Sequence, residues 1–215
     1  METKLIYFVR HGETENNALG IRQGAEGPLT EKGRAQALAT AKRFPKGKGL
    51  PQIIIASPYE RTKETASIIS QEIGVKVEYS ELLTERRNPS EVIGRSGGDP
   101  EIRKIIDRID NSYHEDNLRF SDEENFIDLK KRAKKLLNYI KGISEERIIM
   151  VTHKIFLKVV VSYMLYGEKL TASQYNNLSY FNPIDNAGIA ICLYTPHFFK
   201  KDEWKLLVWN DLENI

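Results

Sequence analysis

Cysteine is almost missing from this chain of 215 residues. There is one, Cys192, so no disulfide can form within the chain. It lies in the apolar run 188–194. Burial with no cationic neighbour raises a thiol's pKa, so Cys192 is expected to be a structural thiol rather than a nucleophile. Long hydrophobic runs are missing too. The longest, 155–164, contains Lys158 and is too short to span a bilayer, so no membrane partner is expected. The first residues, METKLIYFVRHGE, carry charges where a secretory leader needs an apolar stretch. No small-residue cleavage site follows, and a cytoplasmic location is expected. An excess of one charge sign is absent: 32 basic and 30 acidic side chains leave a net charge of +2. That balance argues against a nucleic-acid partner, and any functional positive charge must be local. Internal repeats, low-complexity tracts and metal-ligand spacings such as His-x-x-x-His are not found either.

What remains is an ordinary globular composition, 40% apolar and 29% charged, in a length suited to one domain with a sizeable core. Short apolar runs alternate with amphipathic stretches, the pattern of an α/β fold. Runs 5–9, 53–56, 75–79, 147–151, 187–193 and 204–208 read as strands. Helices are expected over 31–44, with Thr30 as N-cap, and over 59–73, closed by Gly74. Others are expected over 101–109, 123–140 and 155–166. In the clearest of these, Phe126, Leu129, Ala133, Leu136, Leu137 and Ile140 recur at helical spacing. The aromatic run 175–181 reads as packing. Residues 88–99 are rich in Gly, Pro and polar groups and read as irregular, opening an insertion or lid over about 88–122 of a single domain, 1–215. The predicted fold is a mostly parallel sheet with helices on both faces.

Open α/β sheets bind ligands beyond the carboxyl ends of their strands. Arg10 and His11 follow the first strand run, Ser57 to Arg61 the second, Glu85 to Arg87 the third, and His153 with Lys154 the fourth. Parallel neighbours would bring these groups to one edge. Two arginines and two histidines together suit a phosphoryl group. The guanidinium fork matches phosphate oxygens, and a neutral imidazole can attack phosphorus and hold it covalently. A carboxylic acid must then protonate the leaving oxygen, and Glu85 is the best-placed candidate.

Residues 5–14, LIYFVRHGET, resemble the opening of the histidine phosphatase superfamily, the phosphoglycerate mutase-like proteins. The resemblance continues, in the family's order, through Asn17, Gln23-Gly24, the block 29–37, the block 57–66 around Arg61, the block 151–153 around His153, and 185–188. It implies a three-layer α/β/α sandwich and a phosphatase that works through phosphohistidine on His11. It implies that Arg10, Arg61 and His153 hold the phosphate, with Asn17, Gln23 and Gly24 near phosphate or substrate, and that Glu85 donates the proton. It implies no metal and no cofactor, and a small phosphorylated metabolite as substrate.

The chain departs from the family pattern at Lys154, where glycine is usual, and in the segment 86–91 after Glu85. Lys154 either adds charge beside the phosphate or points away. Arg86, Arg87 and Arg95 form either a basic rim that reads a second anionic group or a solvated loop surface. Glu13 and Glu15 are candidate orienting groups, Glu124 is a rival acid, and His114 and His197 read as surface residues. Two alternative functions stay open: a phosphoglycerate mutase-type phosphoryl transfer, and a non-catalytic phospholigand-binding protein. The C-terminal part is apolar enough to support a homodimer.

Overall fold

Short runs of residues that face alternately up and down form the middle of a six-stranded sheet. The computed structural model describes residues 2–111 and 115–213. Its strands are β1 (Lys4–Arg10), β2 (Ile53–Ala56), β3 (Val77–Tyr79), β4 (Arg147–Thr152), β5 (Ile189–Thr195) and β6 (Glu203–Asp211). They lie in the order β3-β2-β4-β1-β5-β6. The first four in that order run parallel, and β5 and β6 add antiparallel at one side. The mostly parallel α/β layout expected from the sequence is the one found.

The helices are α1 (Glu15–Ala18), α2 (Glu31–Lys42), α3 (Glu60–Ile73), α4 (Pro100–Asn111), α5 (Phe126–Gly142), α6 (Lys154–Tyr166) and α7 (Ala172–Phe181). Both faces of the sheet are covered, which is why its central strands read as unbroken apolar runs. Ile6 and Phe8 of β1, Ile55 of β2, and Ile148 and Met150 of β4 enter the core shared with α5, α6 and α7. Their alternates Tyr7, Val9, Ile54, Ile149 and Val151 enter the core under α2 and α3. Successive Cβ atoms of a strand point to opposite faces, so one run serves both layers. Cys192 is buried in the first core, and burial pushes its thiol up to about 12.

Most element ends follow local chemistry. Thr30 caps α2 by accepting from the Gly33 N–H, and Gly74 ends α3 at φ 71°. The expected helix over 123–140 begins later, at Phe126, because Asn125 and Asp128 form a reciprocal capping box. Glu123 instead turns its carboxylate onto the Phe120 and Ser121 amides. The expected strand 204–208 lies within the longer β6, whereas β5 is displaced from expectation. Ala187 sits at φ 60°, outside the extended region, so β5 starts two residues later than the apolar run does. The run 175–181 packs as expected, and it does so as part of a helix. It lies in α7, which opens on a capping box between Thr171 and Gln174, and Tyr175 is buried. The segment 88–99 is irregular apart from one 3-10 turn at Ser90–Val92. A bridge between Ile21 and Ser96 joins it to the loop after β1. His114 lies outside the described residues. No helix among the described residues is long and apolar enough to cross a membrane.

Candidate active site

Strand register makes the site. β1 pairs with β4 with Arg10 opposite Thr152, and β2 pairs with β4 with Ala56 opposite Val151. The next residue of each strand, His11, His153 and Ser57, therefore emerges beside the others at the carboxyl edge. The His11 N–H donates to the Thr152 carbonyl at 3.1 Å, and the Ser57 N–H to Val151 at 3.0 Å. The two imidazoles lie with ring centroids 5.2 Å apart.

Two glycines of the sequence blocks have a steric reason. A Cβ on Gly12 would strike the Gly33 carbonyl, and one on Gly33 would strike the Glu13 backbone. The loop after β1 thus packs backbone to backbone against the first turn of α2. The Gly12 N–H is further anchored to the Thr65 hydroxyl of α3 at 3.1 Å.

His11 is buried, and its Nδ1 is 2.7 Å from the Gly12 carbonyl. A carbonyl can only accept, so Nδ1 carries the proton and Nε2 carries the lone pair. Burial first, then the cations Arg61 and Arg10, hold the His11 pKa well below the ordinary histidine value. His153 is depressed likewise, by burial and then by Arg61. Its Nε2 meets the Ser57 Oγ at 2.9 Å, and its Nδ1 is buried with no hydrogen-bond partner.

The arginines are held by carbonyls. Arg10 donates to the Ile184 carbonyl at 2.8 Å, and Arg61, on the first turn of α3, to Gly24 at 2.9 Å. Arg61 also lies 5.1 Å from the Tyr59 ring centroid. Burial lowers both guanidinium pKa values, that of Arg10 to about 10, with Glu85 opposing the shift. The Nε atoms of Arg10 and Arg61 are buried without partners. Three buried nitrogens, these two and His153 Nδ1, thus have no hydrogen-bond partner among the described residues. Such groups are costly unless a ligand satisfies them.

A pocket of about 560 Å³, open to solvent, is lined by Arg10, His11, Asn17, Gln23, Arg61, Glu85 and Lys154, together with Ile21, Arg22, Asn88 and Ile155. Seven expected residues thus share one wall. Among the described residues, Glu85 is its only lining carboxylate. Its oxygens accept from the Ile155, Phe156 and Arg86 amides at 2.9–3.1 Å, which seats it on the N-terminus of α6. Lys154 does line the pocket. Partial desolvation, then Arg10, holds its ammonium below the ordinary lysine range. Gly24 contributes its carbonyl to Arg61 rather than a pocket surface.

Arg86 is placed otherwise than expected. It is buried and does not line the pocket, and its guanidinium donates to the Asn88 side chain, which does. Of the two readings left open for Arg86, Arg87 and Arg95, the basic rim at the pocket is not formed. Arg87 donates to the Asp122 carbonyl, and Arg95 pairs with Asp99. Glu13 pairs with Lys32, Glu124 pairs with Arg132, and neither of them nor Glu15 lines the pocket. His197 is half-buried, 3.9 Å from Glu203.

Some contributors lie beyond the sequence reading. Asn186 donates to the His11 carbonyl and to the Asn17 side chain. Arg132 of α5 donates to the Thr84 and Glu85 carbonyls and so supports the Glu85 backbone. Arg22 directly precedes Gln23-Gly24, and Asn186 falls inside the block 185–188, so their neighbours marked both. Nothing local marks Arg132, because only the packing of α5 brings it there.

Comparison with known proteins agrees with this geometry. The profile described as "Histidine phosphatase superfamily (branch 1)" matches residues 6–212. A curated relative, "Probable phosphoglycerate mutase GpmB" of Cronobacter sakazakii, is 46% identical over 81 residues, which is 37% of this chain and 37% of that protein. The matched stretch is thus well under two thirds of the relative. A mycobacterial glucosyl-3-phosphoglycerate phosphatase solved with VO3 superposes with a TM-score of 0.76 and 24% identity, covering 96% of this chain and 99% of that one. A mutant phosphoserine phosphatase of Entamoeba histolytica, solved with phosphoserine, gives a TM-score of 0.74 and 25% identity, covering 99% of each chain.

Proposed function

The chain belongs to the histidine phosphatase superfamily, branch 1, and from that premise we propose that it hydrolyses small phosphomonoesters through a phosphohistidine on His11. The observation that carries this reading is a neutral imidazole with its Nε2 lone pair free, set among buried donors that lack partners. His11 Nε2 attacks phosphorus while the ester P–O bond breaks. The leaving oxygen takes a proton from the Glu85 carboxylic acid. Positive charge then develops on the imidazole, and the bond from Nδ1–H to the Gly12 carbonyl strengthens with it. Arg10, Arg61 and the Nδ1–H of His153 meet the charge on the phosphoryl oxygens, with the Ser57 hydroxyl donating to His153 Nε2. In the second half, Glu85 as carboxylate takes a proton from water, whose oxygen attacks phosphorus. The P–N bond breaks, and phosphate leaves a neutral His11.

Phosphatase action is supported by the family and by the activities named for the two solved neighbours. The named activity of the curated relative favours a second reading, a mutase that returns the phosphoryl group to its substrate. The test is phosphate release from an aryl phosphate and a panel of phosphorylated metabolites, run beside interconversion of 2- and 3-phosphoglycerate. We expect release without interconversion. His11→Ala should abolish turnover and remove acid-labile labelling, and normal turnover in that variant overturns the mechanism.

A further inference from the structure

A second concave site lies one helical turn along α6 from the mouth of the active-site pocket. It encloses about 720 Å³, counting its opening to solvent. Its walls include Lys158, Val161 and Leu165 of α6, Leu178 of α7, and Trp204 and Trp209 of β6. None of its lining residues belongs to the active-site pocket. Lys158, Val161 and Leu165 follow the helical period, so α6 presents one face here. The Trp209 indole N–H is held by the Pro183 carbonyl at 2.8 Å, so this wall is preformed.

Lys158 is the unusual member. It is only 8% exposed, and its Nζ donates to the carbonyl and hydroxyl of Ser179 at 2.7 and 3.3 Å. Both acceptors are neutral. The charges that act on it are Lys154 and Arg10, both cations, and no carboxylate among the described residues pairs with it. Burial is the main cause that lowers its pKa to about 8, which still leaves most of it protonated at neutral pH. A buried ammonium without a counter-charge is costly. A mostly apolar cleft with one such group is the form that small-ligand sites take.

We propose that this cleft binds an amphipathic monocarboxylate, with its apolar body against Trp204, Trp209 and α6 and its carboxylate on the Lys158 ammonium. A single cation beside neutral serine groups suits one negative charge; a phosphate dianion would need more donors. The aromatic walls suit an apolar body.

Both tryptophans of the chain line the cleft, so intrinsic fluorescence responds to its occupancy. The 215-residue chain is titrated at pH 7 with decanoate and, separately, with decanol, below their aggregation ranges. We expect saturable binding of decanoate, tighter than that of decanol. Lys158→Met should weaken decanoate by about 10-fold or more and decanol by about 2-fold at most, the difference a charged hydrogen bond makes. Leu165→Asp changes an exposed lip residue, leaves the core untouched and should also weaken decanoate selectively. It decides the matter if Lys158→Met fails to fold. The proposal is overturned if the protein shows no saturable response. It is overturned equally if decanol binds as well as decanoate, or if both folded variants keep full decanoate affinity. Sedimentation showing a dimer that Leu165→Asp dissociates would assign the cleft to a second copy instead, and would overturn it too.

Discussion

Lys154 carries the clearest single-residue consequence. It lines the pocket with Arg10, Arg22 and Arg61, against one carboxylate, Glu85. Arg10 and Arg61 are the guanidinium pair proposed to take the phosphoryl oxygens, so Lys154 at the start of α6 is placed to meet a second anionic group on the substrate. Lys154→Gly should therefore raise KM for 3-phosphoglycerate about 5-fold, the scale of a partly exposed ion pair, and change KM for an aryl phosphate much less. Equal effects on both substrates would mean that Lys154 reads no second charge. The same scale shows where single residues were legible. Arg10, His11, Arg61 and His153 each follow an apolar run or sit in a helix's first turn, so their position is local information. Arg86 was not legible. Two adjacent arginines after Glu85 look alike in sequence, but the turn buries one and hands the pocket wall to Asn88.

At the scale of elements, the close approach of α2 to the loop after β1 separates folding from function. Gly33→Ala would drive a methyl into the Glu13 backbone, two residues from His11. Asn125→Ala would remove the capping box of α5, far along the chain from His11. We expect about 1 kcal/mol of lost stability from the lost cap, and about 1–3 kcal/mol from the overpacked contact. Urea denaturation would measure both. Only Gly33→Ala should also lower kcat, because it shifts the segment that carries His11. Equal kcat in the two variants would show that the loop tolerates the shift. Periodicity located α2, α3, α5 and α6 well, since each carries an apolar face. It missed α7, whose signal is its capping box rather than a stripe, and it began α5 early because Glu123 and Glu124 are good helix formers used for other contacts.

Across the whole molecule, the buried histidines tie stability to pH. In the fold, His11 and His153 hold protons only well below 6.5, whereas in the unfolded chain they titrate near that value. The stability they contribute is present above about pH 6.5. It is lost as pH falls below that, because the unfolded chain then binds protons that the fold refuses. Between pH 7.5 and 5.5 the loss should be about 1 kcal/mol for each histidine, read from urea midpoints. His11→Asn should flatten this slope by about half. A slope unchanged by the substitution would show that His11 titrates normally. Carboxylates held below their ordinary range, such as Asp99 and Asp202, lose their contribution at lower pH and leave this window clear.

The sequence by itself determined the layered α/β class, the approximate strands and helices, and the identity of the charged and polar groups that gather at the carboxyl edge of the sheet. Those depend on period, caps and glycines, which act over a few residues. Tertiary structure decided what those groups do. The Arg10–Thr152 register sets the two imidazoles side by side, and burial among arginines keeps them neutral. The seat of Glu85 on the start of α6, Arg132 behind it, and the lone ammonium of Lys158 in its apolar cleft were likewise decided by tertiary structure. Each depends on contacts between residues dozens of positions apart, and on how far water is excluded from them. Neither is written in any local run of the chain.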